Sequence, residues 1–225
     1  MKRIFLIVFI LAGVTELLHG ITDLGTIHFV GKSILLPSLV VYYYLSIKDN
    51  DGPVSGLLLL TLVLCWIGDV ILMFQGDQFF VFGLIAFLLG HVTYIFVYRQ
   101  HRNETSQEEL RSIQRLRLAF PIVLAGTGLV VILYPHLGAL QVPVMVYAIV
   151  ITVMTINALF RYGKTNTTSF FMVFSGAILF MMSDSLLAIG KFIEPIYLSG
   201  FWIMLTYIGA QYLIVQGLIV HRKEK

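Results

Sequence analysis

The chain has 225 residues, of which 58% are hydrophobic and 12% are charged, and its mean hydropathy is +0.90. A soluble domain carries about a quarter charged residues, so this composition excludes an ordinary soluble enzyme, a disordered chain and a disulfide-bonded secreted scaffold. It indicates an all-α polytopic membrane protein, and the net charge of +3 does not indicate a nucleic-acid partner.

Eight apolar segments predict membrane-spanning helices, each of which needs about 20 residues to cross the hydrocarbon core. We expect one transmembrane helical domain over 1–225, with spans at about 4–21, 28–47, 54–73, 79–99, 117–134, 139–160, 168–189 and 197–219. The first span follows Lys2 and Arg3 as in a signal peptide, but it lacks a small-x-small cleavage site. Gly83 and Gly90 predict that the fourth span packs closely against a neighbour.

The links between the spans are short except for the polar loop 100–116, in which we expect an amphipathic helix to begin near Glu108. Lys and Arg residues are strongly biased to one set of ends: thirteen lie there, whereas the opposite loops contain Lys191 alone. Basic residues favour the cytoplasmic side of a membrane. The sequence therefore predicts an even number of spans with both termini in the cytoplasm.

Ionisable side chains within spans are costly unless they face a protein interior or water, so each is a candidate functional residue. The candidates within or beside the spans are Glu16, Lys32, Asp69, His91, Asp184 and Lys191. All except the central His91 fall in the outer half of the predicted bundle, which predicts a single polar cavity open to the non-cytoplasmic side. Structural alternatives stay open for some: Glu16 can snorkel or pair with His19, and Lys32 can reach the headgroups.

Helical spacing places further polar and aromatic residues on shared faces. Phe87, His91, Tyr94 and Tyr98 share one face of the fourth span, and Tyr207 and Gln211 share one face of the eighth. The third and fourth spans read GD then GHVTY, and the last two read SD then GAQYL. This echo indicates a parallel 4+4 repeat in which the two aspartates are pseudo-equivalent.

Two carboxyls in a low-dielectric site form a natural acid and base pair, because like-charge repulsion disfavours ionisation of both. We therefore interpret Asp69 and Asp184 as catalytic, with His91 and Tyr94 orienting water or one carboxyl. Lys32 and Lys191 suit a phosphate group. Glu16, Tyr207 and Gln211 complete the expected substrate-binding lining. No cofactor is expected; a metal held by two aspartates and a histidine is conceivable, but no residue spacing supports it.

Five motifs in order resemble the lysoplasmalogenase, or YhhN-like, family of membrane hydrolases over about 30–215. They are GKSILLP, WIGDVILMF, GLIAFLLGHVTY, GAILFMMSDSLLAIGKF and TYIGAQYLI. The resemblance implies a lysophospholipid substrate whose vinyl-ether bond is hydrolysed to a fatty aldehyde and glycerophosphoethanolamine or glycerophosphocholine. Protonation of the vinyl β-carbon and addition of water require an acid and a base, which the two aspartates would supply.

Alternative functions follow from the same membrane charges. A transporter of a small or lipid-like solute is the main alternative, because it also places charges and repeats within the membrane. An intramembrane aspartyl protease is disfavoured because the GxGD and YD motifs are absent, and a non-catalytic lipid-binding scaffold is the third. The membrane is expected to be a bacterial plasma membrane, or the endoplasmic reticulum in a eukaryote.

Overall fold

The computed structural model describes residues 1–22, 25–49, 52–103 and 112–223, and within these it contains eight α-helices and no strand. The helices are α1 Lys2–His19, α2 Ile27–Lys48, α3 Gly56–Ile71, α4 Asp77–Gln100, α5 Ser112–Leu133, α6 Gln141–Leu159, α7 Thr167–Phe192 and α8 Ser199–Lys223. Each predicted apolar segment overlaps one of these helices, which confirms the all-α class. The helix expected near Glu108 lies outside the described residues.

The apolar composition of the helices supports a protein embedded in a membrane. Within the described residues, α2, α4, α5, α6, α7 and α8 are long and apolar enough to cross a bilayer. Helix α3 is apolar but has 16 residues, and α1 has 18 residues that include Lys2, Arg3 and Glu16. The protein is therefore a helical membrane protein, whereas the number of spans and the location of the termini stay predictions.

Three helical hairpins form most of the bundle: α1 packs on α2, α3 on α4, and α7 on α8. Helix α8 also contacts α1 and α2, and α4 contacts α6. Helix α5 lies against α6, with fewer contacts to α7. The main buried cluster joins all of the helices except α5, so α5 is a peripheral helix of the bundle.

Glycines bring the helices of these hairpins close together, as expected for small residues in membrane bundles. A Cβ added at Gly83 of α4 would lie 2.6 Å from Leu72 Cδ2, and one at Gly90 would lie 3.0 Å from Cys65 Sγ. The predicted close packing of α4 is confirmed. Gly68 of α3 likewise faces the ring of Phe87, since an added Cβ would lie 2.7 Å from Phe87 Cδ2.

Capping side chains fix where two of the site-bearing helices begin. Ser55 accepts the Leu58 N–H at 3.4 Å at the start of α3, and Asn166 accepts the Ser169 N–H at 2.6 Å at the start of α7. Such caps satisfy backbone donors that the first turn of a helix leaves free. They fix the first residue of α3 and of α7. The two membrane aspartates lie in the C-terminal halves of these helices, away from the caps.

Candidate active site

A polar cavity of about 380 Å³ opens at the end of the bundle where α3 and α7 terminate. Both membrane aspartates line it, and so do both of the lysines singled out in the sequence. The residues that define this polar cavity are Lys32, Asp69, Asp184, Lys191 and Tyr207, with Phe87 among its apolar walls. Two parts of the chain that are distant in sequence, α2–α3 and α7–α8, thus bring carboxyl and ammonium groups to one concave surface.

Asp69 lies on the buried side of the polar cavity, with 3% of the residue exposed. The hydroxyl of Tyr207 on α8 donates a hydrogen bond to Asp69 Oδ2 at 2.7 Å. Gly68, the preceding residue, lets α3 approach Phe87 of α4 and so sets the depth of the carboxyl. Hydrogen bonds to a buried carboxylate are among the stronger ones in proteins, so Tyr207 holds this carboxyl in one orientation.

Asp184 is the more accessible of the two aspartates, because 14% of its side chain is exposed. The Tyr147 hydroxyl on α6 donates to Asp184 Oδ2 at 2.6 Å. His91 Nε2 lies 3.6 Å from the same oxygen, which is beyond hydrogen-bonding distance. Both ring nitrogens of His91 are buried and have no hydrogen-bond partner within the described residues. His91 is thus placed to approach Asp184 or a water bound beside it.

An aromatic layer connects the two carboxyl positions. The ring of Phe180 lies 4.7 Å from that of His91 and 5.4 Å from that of Tyr207, in edge-to-face geometry. The Phe87 ring lies 6.0 Å from Tyr207, and the His91 ring 5.3 Å from Tyr147. Edge-to-face packing restricts ring rotation, so this layer fixes the two tyrosine hydroxyls that hold the aspartates.

Lys32 reaches the polar cavity from α2, which is anchored on both sides. Gly31 faces α1 so closely that an added Cβ would lie 2.8 Å from Glu16 Oε1. On the other side Pro37 has no N–H to give to the carbonyl four residues earlier, which belongs to Ser33. The indole Nε1 of Trp66 on α3 donates to that carbonyl at 2.9 Å, so α2 and α3 are joined beside Lys32.

Lys191 lines the mouth of the polar cavity at the end of α7. Its Nζ forms an ion pair with Asp77 Oδ1 at 2.9 Å and lies 5.3 Å from the ring centre of Phe80. Because the Asp77 side chain is 86% exposed, water and salt screen this pair. Lys191 can therefore exchange its exposed partner for an incoming anion at little cost.

Four of the predicted site residues lie outside the lining of the polar cavity: His91, Glu16, Tyr94 and Gln211. Glu16 is buried between α1 and α2, where His28 Nδ1 approaches its Oε2 at 3.1 Å. The structure thus gives Glu16 the partner His28, whose imidazole stacks on that of His19 with centroids 4.1 Å apart. Tyr94 donates to Gln211 Oε1 at 2.6 Å, and both residues are fully buried in the core.

Tyr147 is the site residue that sequence reasoning missed. It is the one polar side chain in the apolar stretch 142–151, and a hydroxyl at that depth needs a partner. That signal was present but weak, because tyrosine is also common in the outer belt of membrane helices.

The side chains of the site do not form a cluster typical of a metal centre. Within the described residues, no group of three His, Cys, Asp or Glu side chains is arranged to hold a metal ion.

A narrow apolar crevice of about 40 Å³ continues from Asp184 between α4, α5, α6 and α7. It shares Phe80, Phe87 and Asp184 with the polar cavity. Away from the aspartate its walls are almost entirely apolar, and they include Leu129, Val144, Ala148, Ile151 and Met181. A polar cavity and an apolar crevice therefore meet at one carboxyl group.

Comparison with known proteins identifies relatives over about two thirds or more of the chain. A lysoplasmalogenase from Mycobacterium bovis is 33% identical over 149 residues, which are 64% of this chain and 52% of that protein. Lysoplasmalogenase TMEM86A from Bos taurus is 31% identical over 166 residues, 72% of this chain and 65% of that protein. Lysoplasmalogenase TMEM86B from Homo sapiens is 27% identical over 179 residues, 80% of this chain and 70% of that protein.

The chain spans about half the length of the mycobacterial relative that it matches. Among solved structures there is no significant match. The model of the YhhN family matches residues 27–218, a range that runs from the start of α2 to the last turns of α8 and contains both aspartates and both cavity lysines. The chain therefore belongs to the YhhN family.

Proposed function

We propose that the protein is a lysoplasmalogenase that hydrolyses the vinyl-ether bond of a single-chain phospholipid by carboxyl acid and base catalysis. The observation that carries the proposal is the junction of the polar cavity and the apolar crevice at Asp184. A lysoplasmalogen has its reactive bond at the corresponding junction, between the glycerophosphate headgroup and the alkyl chain. The narrow crevice favours one chain over two, and relatives named lysoplasmalogenase support the same reaction.

The reaction begins when one of the two aspartates, as the carboxylic acid, protonates the β-carbon of the vinyl ether. The double bond becomes an oxocarbenium ion, whose charge is stabilised by the other aspartate as a carboxylate. That carboxylate then takes a proton from water as the water oxygen bonds to the α-carbon. The second aspartate then returns its proton to the glycerol oxygen while the first, now a carboxylate, takes the proton of the hemiacetal hydroxyl. The bond between the α-carbon and the glycerol oxygen breaks, the fatty aldehyde is released, and both carboxyls regain their initial protonation states.

The tyrosines and the histidine orient these groups. Tyr147 and Tyr207 each donate to one oxygen of an aspartate, which leaves the second oxygen of that carboxyl for proton transfer. His91, with its ring 0% exposed and its Nε2 3.6 Å from Asp184 Oδ2, positions the attacking water or that carboxyl. Each proton donor or acceptor then needs no rearrangement during the reaction, which is the basis of preorganised catalysis.

Lys32 and Lys191 bind the phosphate in this proposal. We expect Lys32→Met to raise KM for a lysophospholipid about tenfold or more, because a hydrogen bond between charged groups contributes about 1.5–3 kcal/mol. Lys32→Arg keeps the charge and serves as the matched control. A 1-alkenylglycerol without phosphate tests the assignment, since its KM should be the same in all three proteins; an equal rise for both substrates would contradict phosphate binding by Lys32.

The proposed membrane arrangement has eight spans, with both termini on the cytoplasmic side. Lys2 Nζ pairs with Asp49 Oδ2 at 2.9 Å, which places the start of α1 beside the end of α2. The Asn103 N–H donates to the Lys164 carbonyl at 2.8 Å, so the basic ends of α4 and α6 also meet. The polar cavity opens at the other end, which supports access from the non-cytoplasmic side.

The proposed function is tested with purified protein in detergent and a 1-alkenyl lysophospholipid, with and without a chelator. We expect release of one long-chain aldehyde per substrate, and none from the 1-alkyl analogue, because a saturated ether has no β-carbon that accepts a proton. Folded protein that releases no aldehyde under either condition would contradict the function. Uptake of the intact lipid into proteoliposomes without aldehyde release would favour the transporter instead.

A further inference from the structure

We propose that the alkyl chain enters the site sideways from the bilayer, through a gap between α5 and α7, and that the aldehyde leaves through the same gap. This inference rests on the proposed function, because it assigns a path to the chain of that substrate. It concerns a second concave surface, which borders the apolar crevice and has no lining residue in common with the polar cavity. We call this surface the lateral groove.

The lateral groove has a volume of about 390 Å³ and is bounded by α5, α6 and α7. Its lining residues are Pro121, Ile122, Ala125, Thr155, Ile178, Met181, Met182, Ser185 and Leu186. Two of these, Met181 and Ser185, also line the apolar crevice. The crevice that begins at Asp184 therefore adjoins a groove on the outside of the bundle, and the side chains of Met181 and Ser185 form the boundary between the two.

The outer rim of the lateral groove is suited to contact with lipid. Ile178 is 38% exposed and Met182 is 48% exposed, and both lie within a helix that is apolar enough to cross a membrane. Ser185 donates its hydroxyl to the Met181 carbonyl at 2.6 Å, so it presents little polarity to the groove. An alkyl chain can pass from the bilayer to Asp184 without leaving an apolar environment.

The wall formed by α5 is the part of the bundle best able to yield to a passing chain. Pro121 interrupts the hydrogen bonding of α5 where it borders the lateral groove, because proline has no N–H and displaces the preceding turn. Helix α5 packs mainly on α6 and is absent from the main buried cluster. Met181, at the junction of crevice and groove, is unbranched and adapts its shape readily.

The test compares two 1-alkenyl lysophospholipids, one with a sixteen-carbon chain and one with a four-carbon chain, both kept below micelle formation. Ala125→Phe fills the lateral groove. Each methylene that no longer reaches an apolar site weakens binding about fourfold, so we expect kcat/KM for the long chain to fall at least about tenfold relative to the short one. Val123→Phe is the matched control, because Val123 is an exposed α5 residue outside the groove lining.

The outcomes separate this inference from the proposed function. A selective loss with the long chain supports the lateral path. If Ala125→Phe is folded and hydrolyses both chains as the unaltered protein does, or loses both equally, the path is wrong while the function stands. If the unaltered protein releases no aldehyde from either chain, the proposed function fails and this inference fails with it.

A second measurement avoids any dependence on a folded variant. A 1-alkyl lysophospholipid with a diazirine at the end of its chain is bound to the unaltered protein and activated by light. We expect labelling of peptides that contain Ile178, Met182 or Ala125, and we expect excess unlabelled 1-alkyl lysophospholipid to suppress it. Competed labelling confined to the groove between α1 and α2, which Val8 and Ile34 line, would overturn the lateral path.

Discussion

Asp69→Asn and Asp184→Asn are each expected to lower the turnover of a 1-alkenyl lysophospholipid at least ~100-fold, the scale of a lost general acid or base. The amide oxygen of asparagine can still accept the hydrogen bond that Tyr207 or Tyr147 donates to the carboxylate. The packing of the site is therefore preserved. What is lost is proton transfer and the negative charge that stabilises the oxocarbenium ion.

Asp49→Asn is the matched control for these two variants, because it makes the same chemical change at the opposite end of the bundle. Asp49 pairs with Lys2, and that ion pair lowers the pKa of its carboxyl. The measurement is kcat from aldehyde release, combined with thermal unfolding in detergent to verify that each variant is folded. Full activity in a folded Asp69 or Asp184 variant would show that the carboxyls are not an acid and base pair.

Tyr147→Phe and Tyr207→Phe are expected to lower kcat about tenfold to one-hundredfold each, with little change in KM. Each removes one hydrogen bond to a carboxyl group, and bonds to charged groups contribute about 1.5–3 kcal/mol, where 1.4 kcal/mol is a factor of ten. Both are positioning residues: the aspartates do the chemistry, and the hydroxyls hold them in place. Tyr42→Phe, which removes a hydroxyl bonded to Gln216 Oε1 at 2.8 Å, is the matched control.

The pH profile separates positioning from a general loss of stability. One carboxyl must be protonated and the other ionised, so kcat/KM of the unaltered protein is expected to be bell-shaped in pH. In each tyrosine variant, only the limb that reports its own aspartate should move. A uniform fall in activity with both limbs unchanged would mean that the hydroxyl contributes to stability alone.

Helical periodicity predicted the faces of the site-bearing helices but not how those faces meet. Phe87, His91, Tyr94 and Tyr98 are all buried, as their shared face requires. Periodicity says nothing of the partner across a helix interface, which depends on rotation and crossing angle. The sequence therefore gives no sign of the contact between Tyr147 and Asp184. Nor does it indicate that Tyr94, predicted to orient water or one carboxyl, donates to Gln211.

The most informative signal in the sequence was that the ionisable residues within the spans are predicted to lie at a similar depth in the membrane. Four of those residues, Lys32, Asp69, Asp184 and Lys191, line one cavity. Depth alone did not separate Glu16 from them, since Glu16 lies at a similar height but is bonded to His28 in the interface of α1 and α2. The apolar crevice and the lateral groove could not be predicted, because empty space between helices has no signature in residue order.

The bond between Trp66 and the Ser33 carbonyl constrains the order in which two sequence changes can accumulate. Replacing Pro37 first restores a backbone N–H that can satisfy that carbonyl, after which the indole is dispensable for this purpose. Replacing Trp66 first leaves a half-buried carbonyl without either donor, which costs about 1–3 kcal/mol. The effect of replacing Trp66 therefore depends on whether Pro37 is still present. We expect Pro37 to be replaced before Trp66 in relatives that lack both residues.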